Sequence, residues 1–277
     1  MSFKAGFLLI ALLVGSYAFP AQEDDMSILF DHTDPSSRIV GGNTASHVPF
    51  MVALTTGAFV RNLLCGGSLV TSRHVLTAAH CIVAASSGNT LISSLRGHVN
   101  TNRFASGGTS YSFSRRIVHG SYNPSTIKND IGFVVTSSNV ALSSSVSLVP
   151  LSFDFVGGGV ATSVTGWGRI RSGGSVSQVL LQLSATVVDG NECRNRVAER
   201  APQIGVNAPP VDPTIEICTF HSNGRGMCNG DSGSPLMRAD RNHQIGIVSW
   251  GLPCARNAPD MFVRISAYRS FIEQSIR

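Results

Sequence analysis

The sequence predicts an all-β protein, and three observations support this class. Charged residues make up only 13% of the 277 residues and hydrophobic residues 43%, a composition that argues against disorder, a collagen-like chain or a long helical bundle. Glycine is abundant, with 28 residues, as frequent turns require. Short runs rich in β-branched residues are bounded by Gly, Ser and Asn, which is typical of strands.

The C-terminal tail is the one segment with a helical pattern. Four apolar residues fall on one face of a helix there: Tyr268, Phe271, Ile272 and Ile276. Ser266 precedes them and belongs to the residue types that cap helices. We therefore expect a C-terminal helix over about 266–277.

Residues 1–18 have the pattern of a secretory signal peptide. Lys4 supplies a positive charge, and the apolar run from Ala5 to Gly15 is too short to cross a bilayer. Ser16 and Ala18 place small residues where a signal peptidase reads them. We expect cleavage after Ala18 and a secreted protein, the alternative being a retained membrane anchor.

The six cysteines indicate disulfides rather than a metal site. In an oxidising compartment they predict three bridges, although six cysteines allow 15 pairings. The chain contains no Cys-x-x-Cys pair, so no zinc site is expected.

Charge divides the chain into an acidic segment and a basic remainder. Residues 19–38 carry five acidic residues against Arg38 alone, whereas residues 39–277 carry 19 basic and 11 acidic residues. Of those 19, only Lys128 is a lysine. The arginines are scattered, with Arg115-Arg116 as the densest pair, so neither nucleic-acid nor membrane binding is predicted.

Three motifs carry residues suited to acyl transfer. The first, 228–235, reads Cys-Asn-Gly-Asp-Ser-Gly-Ser-Pro and places Ser232 between glycines in a tight turn. In the second, 77–81, His80 follows Thr-Ala-Ala and precedes a cysteine. In the third, Asp130 stands at the head of an apolar strand. A serine nucleophile needs a base for its proton and a carboxylate to orient that base, and His, Asp, Ser is an established chain order for such a triad.

With the motifs Arg38-Ile39-Val40-Gly41-Gly42, Gly166-Trp167-Gly168 and Ser249-Trp250-Gly251, this set resembles the chymotrypsin/trypsin family from residue 39 to the C-terminus. The resemblance implies two packed six-stranded antiparallel β-barrels with a C-terminal helix. It divides the peptidase domain, 39–277, into an N-terminal barrel over about 39–147, a C-terminal barrel over about 148–265, and the tail helix.

By that resemblance, Ser232 attacks the scissile carbonyl, His80 transfers the proton, and Asp130 orients the imidazole. The N–H groups of Gly230 and Ser232 would form the oxyanion hole. The strand edge at Ser249, Trp250 and Gly251 would bind the substrate backbone.

The resemblance also implies an inactive precursor. Cleavage after Arg38 by a trypsin-like protease would free the amine of Ile39, which would then pair with the buried carboxylate of Asp231. Residues 19–38 would be the pro-segment. Because the pro-segment contains no cysteine, it would leave after cleavage.

Three disulfides are implied in the same way: Cys65–Cys81, Cys193–Cys218 and Cys228–Cys254. No cofactor is implied. No acidic residue lies between Asp34 and Asp130, where calcium-binding members carry their ligands, so no metal site is predicted.

Substrate preference depends on the S1 pocket. Gly226 aligns with the floor, where trypsin-like enzymes carry an aspartate, and Gly251 leaves the wall open. Asp260 aligns with the opposite wall and Met227 lies beside the floor. This combination resembles the brachyurins, digestive enzymes of broad specificity, and favours chymotrypsin-like or broad preference over strict trypsin specificity. The alternative is that Asp260 turns towards solvent.

We therefore expect a secreted digestive endopeptidase of the gut lumen that acts as a monomer. Its partners would be protein and peptide substrates, an activating protease and protein protease inhibitors. The alternative from another class is a catalytically silent homologue that binds or regulates in immunity. A regulatory protease of the haemolymph is a third reading.

Overall fold

The computed structural model describes Ile39 and residues 41–277. The predicted signal peptide, the pro-segment and Arg38 lie outside these described residues. The N-terminal half contributes the following elements: β1 Asn43–Thr44, β2 Met51–Thr56, β3 Asn62–Leu69, β4 His74–Thr77, α1 Ala79–Ala84, β5 Ser86–Ser87, β6 Thr90–Leu91, β7 Arg96–Val99, β8 Thr109–Tyr111, β9 Phe113–Val118 and β10 Gly132–Thr136.

The C-terminal half is built of fewer, longer strands and two helices. Its elements are β11 Ala161–Gly166, β12 Leu181–Val188, α2 Gly190–Gln203, β13 Glu216–Phe220, β14 Pro235–Arg238, β15 His243–Gly251, β16 Asp260–Arg264 and α3 Arg269–Ser275. Short 3-10 turns occupy Pro253–Ala255 and Ile265–Tyr268.

The C-terminal sheet closes into a six-stranded antiparallel barrel. Its order is β12-β11-β14-β15-β16-β13, and β13 pairs back onto β12. The two-residue strand β1 pairs antiparallel with the beginning of β12 in this sheet. It lies, however, in the range of the sequence predicted for the N-terminal barrel. Closure removes the open edges that a sheet would otherwise present.

The N-terminal sheet is a half-barrel of seven antiparallel strands in the order β8-β7-β2-β3-β4-β10-β9. Its edge strands, β8 and β9, are separated along the chain by Ser112 alone, so the sheet must curl for its two edges to approach. The predicted all-β class, the six-stranded C-terminal barrel and the C-terminal helix are confirmed, whereas the N-terminal lobe is a seven-stranded half-barrel rather than the predicted six-stranded barrel.

Helix α2 was not predicted. Asp189 is its N-cap residue, and its side chain accepts hydrogen bonds from Asn191 N at 2.9 Å and Glu192 N at 3.3 Å. The N–H donors of a first helical turn have no acceptor within the helix itself. Its buried face is narrow, consisting of Cys193, Val197 and Ala201. Because this stripe is short and the helix includes Pro202, its hydrophobic pattern in the sequence is weak.

The predicted tail helix is present, but it begins later than expected. Ser266 lies within the 3-10 turn and does not cap the α-helix, which starts at Arg269. Tyr268 and Ile272 are buried in the core cluster of the N-terminal sheet. The tail therefore fastens the C-terminal half of the chain to the N-terminal lobe. No helix in the described part of the chain is long and apolar enough to cross a bilayer.

Candidate active site

Asp130 is a buried carboxylate at the junction of the two lobes. It lies two residues before β10, and only 1% of the residue is exposed. Its Oδ1 accepts a hydrogen bond from His80 N, and its Oδ2 faces His80 Nδ1, both at 2.8 Å. The Ser249 hydroxyl donates to Oδ2 at 2.6 Å. Three donors thus satisfy a carboxylate that burial would otherwise penalise.

Asp130 holds the imidazole of His80 through the Nδ1 atom, and the Nε2 atom lies 3.5 Å from Cys81 Sγ. His80 lies in the first turn of α1, and the Cys65–Cys81 disulfide ties that turn to β3. Because an ionised Asp130 can only accept hydrogen bonds, the Nδ1 atom that faces it carries the proton. In the neutral imidazole, Nε2 is then the basic nitrogen. This is the tautomer that a general base requires.

The Ser232 turn packs directly on the elements that carry His80. Gly66 N, on β3, donates a hydrogen bond to the Ser232 carbonyl at 2.8 Å. The next residue, Gly233, has a positive φ of 80°, and any side chain there would collide with Thr77 just before α1. Only glycine allows the turn to approach this closely. The turn that carries Ser232 therefore packs against the segments that flank His80.

Two backbone donors in the same turn have no partner. In the described part of the chain, the N–H groups of Gly230 and Ser232 donate no hydrogen bond. Gly230 adopts φ 97°, and a Cβ there would lie 3.1 Å from the Cα of Gly168. The free donors flank the backbone of Asp231, whose side chain points inward. Such a pair is suited to an oxyanion.

Asp231 is a second buried carboxylate, with no measurable exposure. Gly168 N donates to its Oδ1 at 2.8 Å and Cys228 N to its Oδ2 at 3.1 Å. Burial raises the pKa of Asp231 to about 7, against the opposing effect of these two hydrogen bonds. No cation among the described residues pairs with it.

Ile39 is fully buried in the core of the C-terminal barrel. It shares that cluster with Val164 on β11, and two residues further along the strand Gly166 lies against the carboxylate of Asp231. Ile39, whose amine is predicted to form on cleavage, and the Asp231 carboxylate, its predicted partner, thus lie in the same region of the C-terminal barrel. Burying an isoleucine side chain contributes about 1.5–3 kcal/mol.

Five of the six predicted substrate-binding residues line one pocket with Ser232, whereas Gly226 lies against Asp260 and outside the lining. The Asp260 carboxylate lies over Gly226, where a Cβ would fall 2.8 Å from its Oδ2. Met227 N donates to that oxygen at 2.9 Å, and a Cβ at Gly251 would lie 3.4 Å from Oδ1. The pocket is lined by Met227, Cys228, Asn229, Ser232, Val248, Ser249, Trp250, Gly251, Leu252, Cys254 and Asp260.

The alternative that Asp260 faces solvent is wrong, because only 7% of the residue is exposed. Burial raises the pKa of Asp260 to about 7; the hydrogen bond from Met227 lowers it, and the charge of Asp231 adds to the increase. The carboxyl therefore changes its charge near neutral pH inside a pocket that contains the candidate nucleophile.

The three disulfides connect the pairs that the resemblance implies. Cys65–Cys81 lies beside His80, Cys193–Cys218 joins α2 to β13, and Cys228–Cys254 borders the pocket. Cys65, His80 and Cys81 lie close together, but both sulfurs are bonded to each other and offer no thiolate to a metal.

Sequence reasoning missed two contributions to the site. Ser249 was expected only as a substrate-binding strand residue, yet its hydroxyl donates to Asp130. Glu216 was not considered at all, although it binds both Lys128 and Trp250. The occurrence of a single lysine in residues 39–277 was the only signal in the sequence that could have drawn attention to this cluster.

The site lies between two β lobes and contains a carboxylate–imidazole pair, a serine in a turn lined by N–H groups, and an adjacent pocket. This arrangement defines the class of serine endopeptidases. Comparison with known proteins places the chain within that class. The family model described as Trypsin matches residues 39–272, and the chain belongs to this family of serine proteases.

Individual relatives agree. Trypsin alpha-4 of Lucilia cuprina is 33% identical over 238 residues, covering 85% of this chain and 86% of the relative. Chymotrypsin of Phaedon cochleariae is 32% identical over 246 residues, covering 87% and 83%. Among solved structures, human heparin binding protein is similar, with a TM-score of 0.68 and 27% identity over 86% of this chain and 96% of that one.

Proposed function

We propose that this chain is a secreted zymogen that becomes an endopeptidase after cleavage at Arg38 and hydrolyses peptide bonds through an acyl-enzyme on Ser232. The observation that carries this proposal is the bond between the Asp130 carboxylate and His80 Nδ1 at 2.8 Å. With Nδ1 bound to that carboxylate, Nε2 is the nitrogen that would act as the base towards Ser232.

The chemistry follows from these roles. The Ser232 oxygen bonds to the carbonyl carbon while its proton passes to His80 Nε2. The carbonyl oxygen becomes an oxyanion, which the N–H groups of Gly230 and Ser232 stabilise. The C–N bond then breaks, and His80 gives its proton to the leaving amine. Water repeats the sequence on the ester, which releases the acid and restores Ser232.

Activation rests on Asp231. A buried carboxylate without a cation is costly, and Asp231 is buried with backbone donors alone. Cleavage before Ile39 creates an amine on a residue whose side chain already lies in the adjoining core. Their ion pair would stabilise the turn that holds Gly230 and Ser232, so the uncut chain would have little activity.

The pocket supports chymotrypsin-like or broad P1 preference. Gly251 leaves room at the pocket wall for apolar side chains, and Met227 lines the pocket with a flexible thioether. The space next to Gly226 is taken by the Asp260 carboxylate. The Asp260 carboxylate can pair with a P1 arginine when it is ionised. A strict trypsin is not favoured, because the position that aligns with the pocket floor is Gly226 rather than an aspartate.

We further propose digestion in a gut lumen, with protein substrates and protein inhibitors as partners of a monomer. The six disulfide-bonded cysteines fit an extracellular protein. The alternative is a silent homologue with a binding role, a reading prompted by the similarity to a heparin binding protein. The retained His80, Asp130 and Ser232, together with the free donors of the turn, favour the enzyme.

The direct test is to cleave the chain at Arg38 with immobilised trypsin, remove the trypsin, and profile P1 preference on a peptide library. We expect cleavage after Leu, Phe and Tyr as well as some after Arg. Cleavage confined to Arg and Lys would contradict the proposed preference. An absence of hydrolysis, with Ile39 confirmed as the N-terminus, would favour the silent homologue.

A further inference from the structure

The N-terminal lobe contains a second polar pocket, which shares no lining residue with the S1 pocket. It lies between strands β7 and β8 and the loop that joins β2 to β3, and its volume is about 380 Å³. We call it the arginine pocket. Six of its lining residues carry polar or charged side chains that could bind a ligand: Arg61, Ser93, Ser94, Arg96, His98 and Ser110.

No carboxylate balances the positive charge of the arginine pocket. None of its lining residues is an aspartate or a glutamate, and residues 41–129 contain six arginines and one lysine but no acidic residue. Among the residues that the structure describes, neither Arg61 nor Arg96 has an ion-pair partner. A concave surface that carries one sign of charge attracts ions of the other sign.

The two guanidinium groups are held in place through the same nitrogen atom. Arg61 Nη1 donates to the carbonyl oxygen of Gly107 at 2.8 Å, and Arg96 Nη1 donates to those of Ser93 and Leu95, both at 2.7 Å. Within the described part of the chain, the Nε and Nη2 atoms of both arginines donate no hydrogen bond. That edge of a guanidinium carries two parallel N–H groups and can bind two oxygens of one anion.

Further polar groups converge on the arginine pocket. The hydroxyl groups of Ser93, Ser94 and Ser110 form no hydrogen bond with any described residue. Only 2% of His98 is exposed; its Nε2 lies 2.8 Å from the Thr55 hydroxyl, and its Nδ1 is buried without a partner. Buried polar atoms without a partner are rare in native proteins, and a bound ion is one reason for them.

We propose that the arginine pocket binds a free tetrahedral oxyanion, such as inorganic phosphate or sulfate, between the Nε–Nη2 edges of Arg61 and Arg96. An anion of this shape has enough oxygens to accept from both guanidinium groups and from the serine hydroxyls at once. Because Arg61 belongs to the loop after β2 and Arg96 to β7, the bound anion would hold that loop against the sheet. The inference is independent of the proposed function, since the pocket contains no residue assigned to catalysis.

An anion in this position would change the electrostatic surroundings of His98. Burial lowers the pKa of His98 to about 4, and the positive charges of Arg61 and Arg96 add to this decrease. An oxyanion paired with both guanidinium groups would offset their charge and favour the protonated imidazole. The pKa of His98 should therefore rise when the anion binds, so this histidine reports on occupancy of the pocket.

An NMR titration with sodium sulfate tests the inference on the uncut Ser232→Ala chain, which cannot digest itself. Sodium chloride at equal ionic strength is the reference, because non-specific attraction between exposed charges depends on ionic strength. We expect sulfate to shift the amide signals of Ser94 and His98 in a saturable way and to raise the pKa of His98. Chloride should produce no saturable shift.

Two substitutions locate the bound anion. Arg61→Gln and Arg96→Gln each remove one guanidinium group, and each should weaken sulfate binding about tenfold or more. The matched control is Arg103→Gln, which removes an exposed arginine of the same lobe that does not line the pocket. Because solvent and salt screen such a charge, the control should keep the sulfate affinity within about twofold. Unchanged amide signals outside the pocket show that each variant is folded.

The inference is supported if sulfate binding is saturable, weakened in both glutamine variants and retained in Arg103→Gln. It is overturned if sulfate and chloride shift the signals alike, or if sulfate binds equally well to wild type, Arg61→Gln and Arg96→Gln. The titration uses a chain without the proposed nucleophile, so its result stands whether or not the cut wild type hydrolyses peptides.

Discussion

At the scale of single residues, Asp260 decides how the pocket is understood. The sequence predicted a glycine floor at 226 and an aspartate on the wall, but two orientations of that aspartate were open. Its orientation depends on a backbone donor, Met227 N, which no residue pattern reveals. The buried orientation gives the pocket a titratable charge.

Replacing Asp260 by glycine should lower cleavage after Arg relative to cleavage after Leu or Phe. The reason is that the carboxylate is the only acidic group among the residues lining the pocket, and a pocket that pairs a charge discriminates strongly against its loss. We expect the Arg-to-Leu ratio of kcat/KM to fall about tenfold or more. Asp240→Gly, at a position with an exposed side chain, is the control, and an unchanged ratio in D260G would refute the role of Asp260.

The same ratio should depend on pH. Because the pKa of Asp260 is raised to about 7, the carboxyl is neutral below that pH and charged above it. Cleavage after Arg should therefore rise relative to cleavage after Leu between about pH 6 and pH 8. Any effect of pH that is common to both substrates cancels in the ratio. A flat ratio in wild type, equal to that of D260G, would contradict the assignment.

At the scale of elements, the strands were more predictable than the helices. The apolar run after Asp130 predicted β10, and the Ser249–Gly251 motif predicted the end of β15. Helix α2 was not predicted because an aspartate such as Asp189 and a few scattered apolar residues are also common in loops. Helix α3 begins later than predicted because the packing of Tyr268 in the core favours a 3-10 turn before the helix.

Helix α2 gives an element-scale prediction. Asp189→Ala removes the acceptor for the first N–H groups of α2 and should reduce the free energy of unfolding by about 1 kcal/mol. Since α2 contributes no residue to the pocket, kcat/KM should be unchanged. Denaturant unfolding measures the loss in free energy of unfolding. The control is Asp154→Ala, which breaks an exposed ion pair with Arg241 at 3.8 Å. Equal stability of the two variants would count against the cap.

The candidate site was predicted more fully than the fold. Residues whose chemistry is tied to a local motif, such as His80 and Ser232, were identified from the sequence. Glu216 and the Ser249 hydroxyl were missed because their roles arise only from contacts between distant segments. Glu216 and Lys128, for example, are 88 residues apart.

At the scale of the whole molecule, cleavage should change how stability depends on pH. In the uncut chain the folded-state pKa of Asp231 is about 7, above the ordinary value of 3.8. A raised carboxyl pKa contributes stability that is present below about pH 4 and lost as pH rises to about 7. After cleavage, the Ile39 amine would keep Asp231 ionised and offset that loss.

We therefore expect uncut protein to lose more stability than cut protein between about pH 5 and pH 7.5. Denaturant unfolding of both forms, prepared in the Ser232→Ala background to prevent self-digestion, measures the difference. The charge of Asp231 acts on Asp260, so the comparison is repeated with Asp260→Gly in both forms. Parallel pH profiles for the two forms would contradict the pairing of Ile39 with Asp231.

The central claim is that Ser232 becomes a nucleophile when the chain is cut after Arg38. Labelling with a fluorophosphonate before and after cleavage, followed by mass spectrometry and N-terminal sequencing, tests this most directly. We predict one phosphonyl group on Ser232 in the chain that begins at Ile39, and little or none in the uncut chain or in cut Ser232→Ala. A chain that begins at Ile39 and takes up no label would contradict the account.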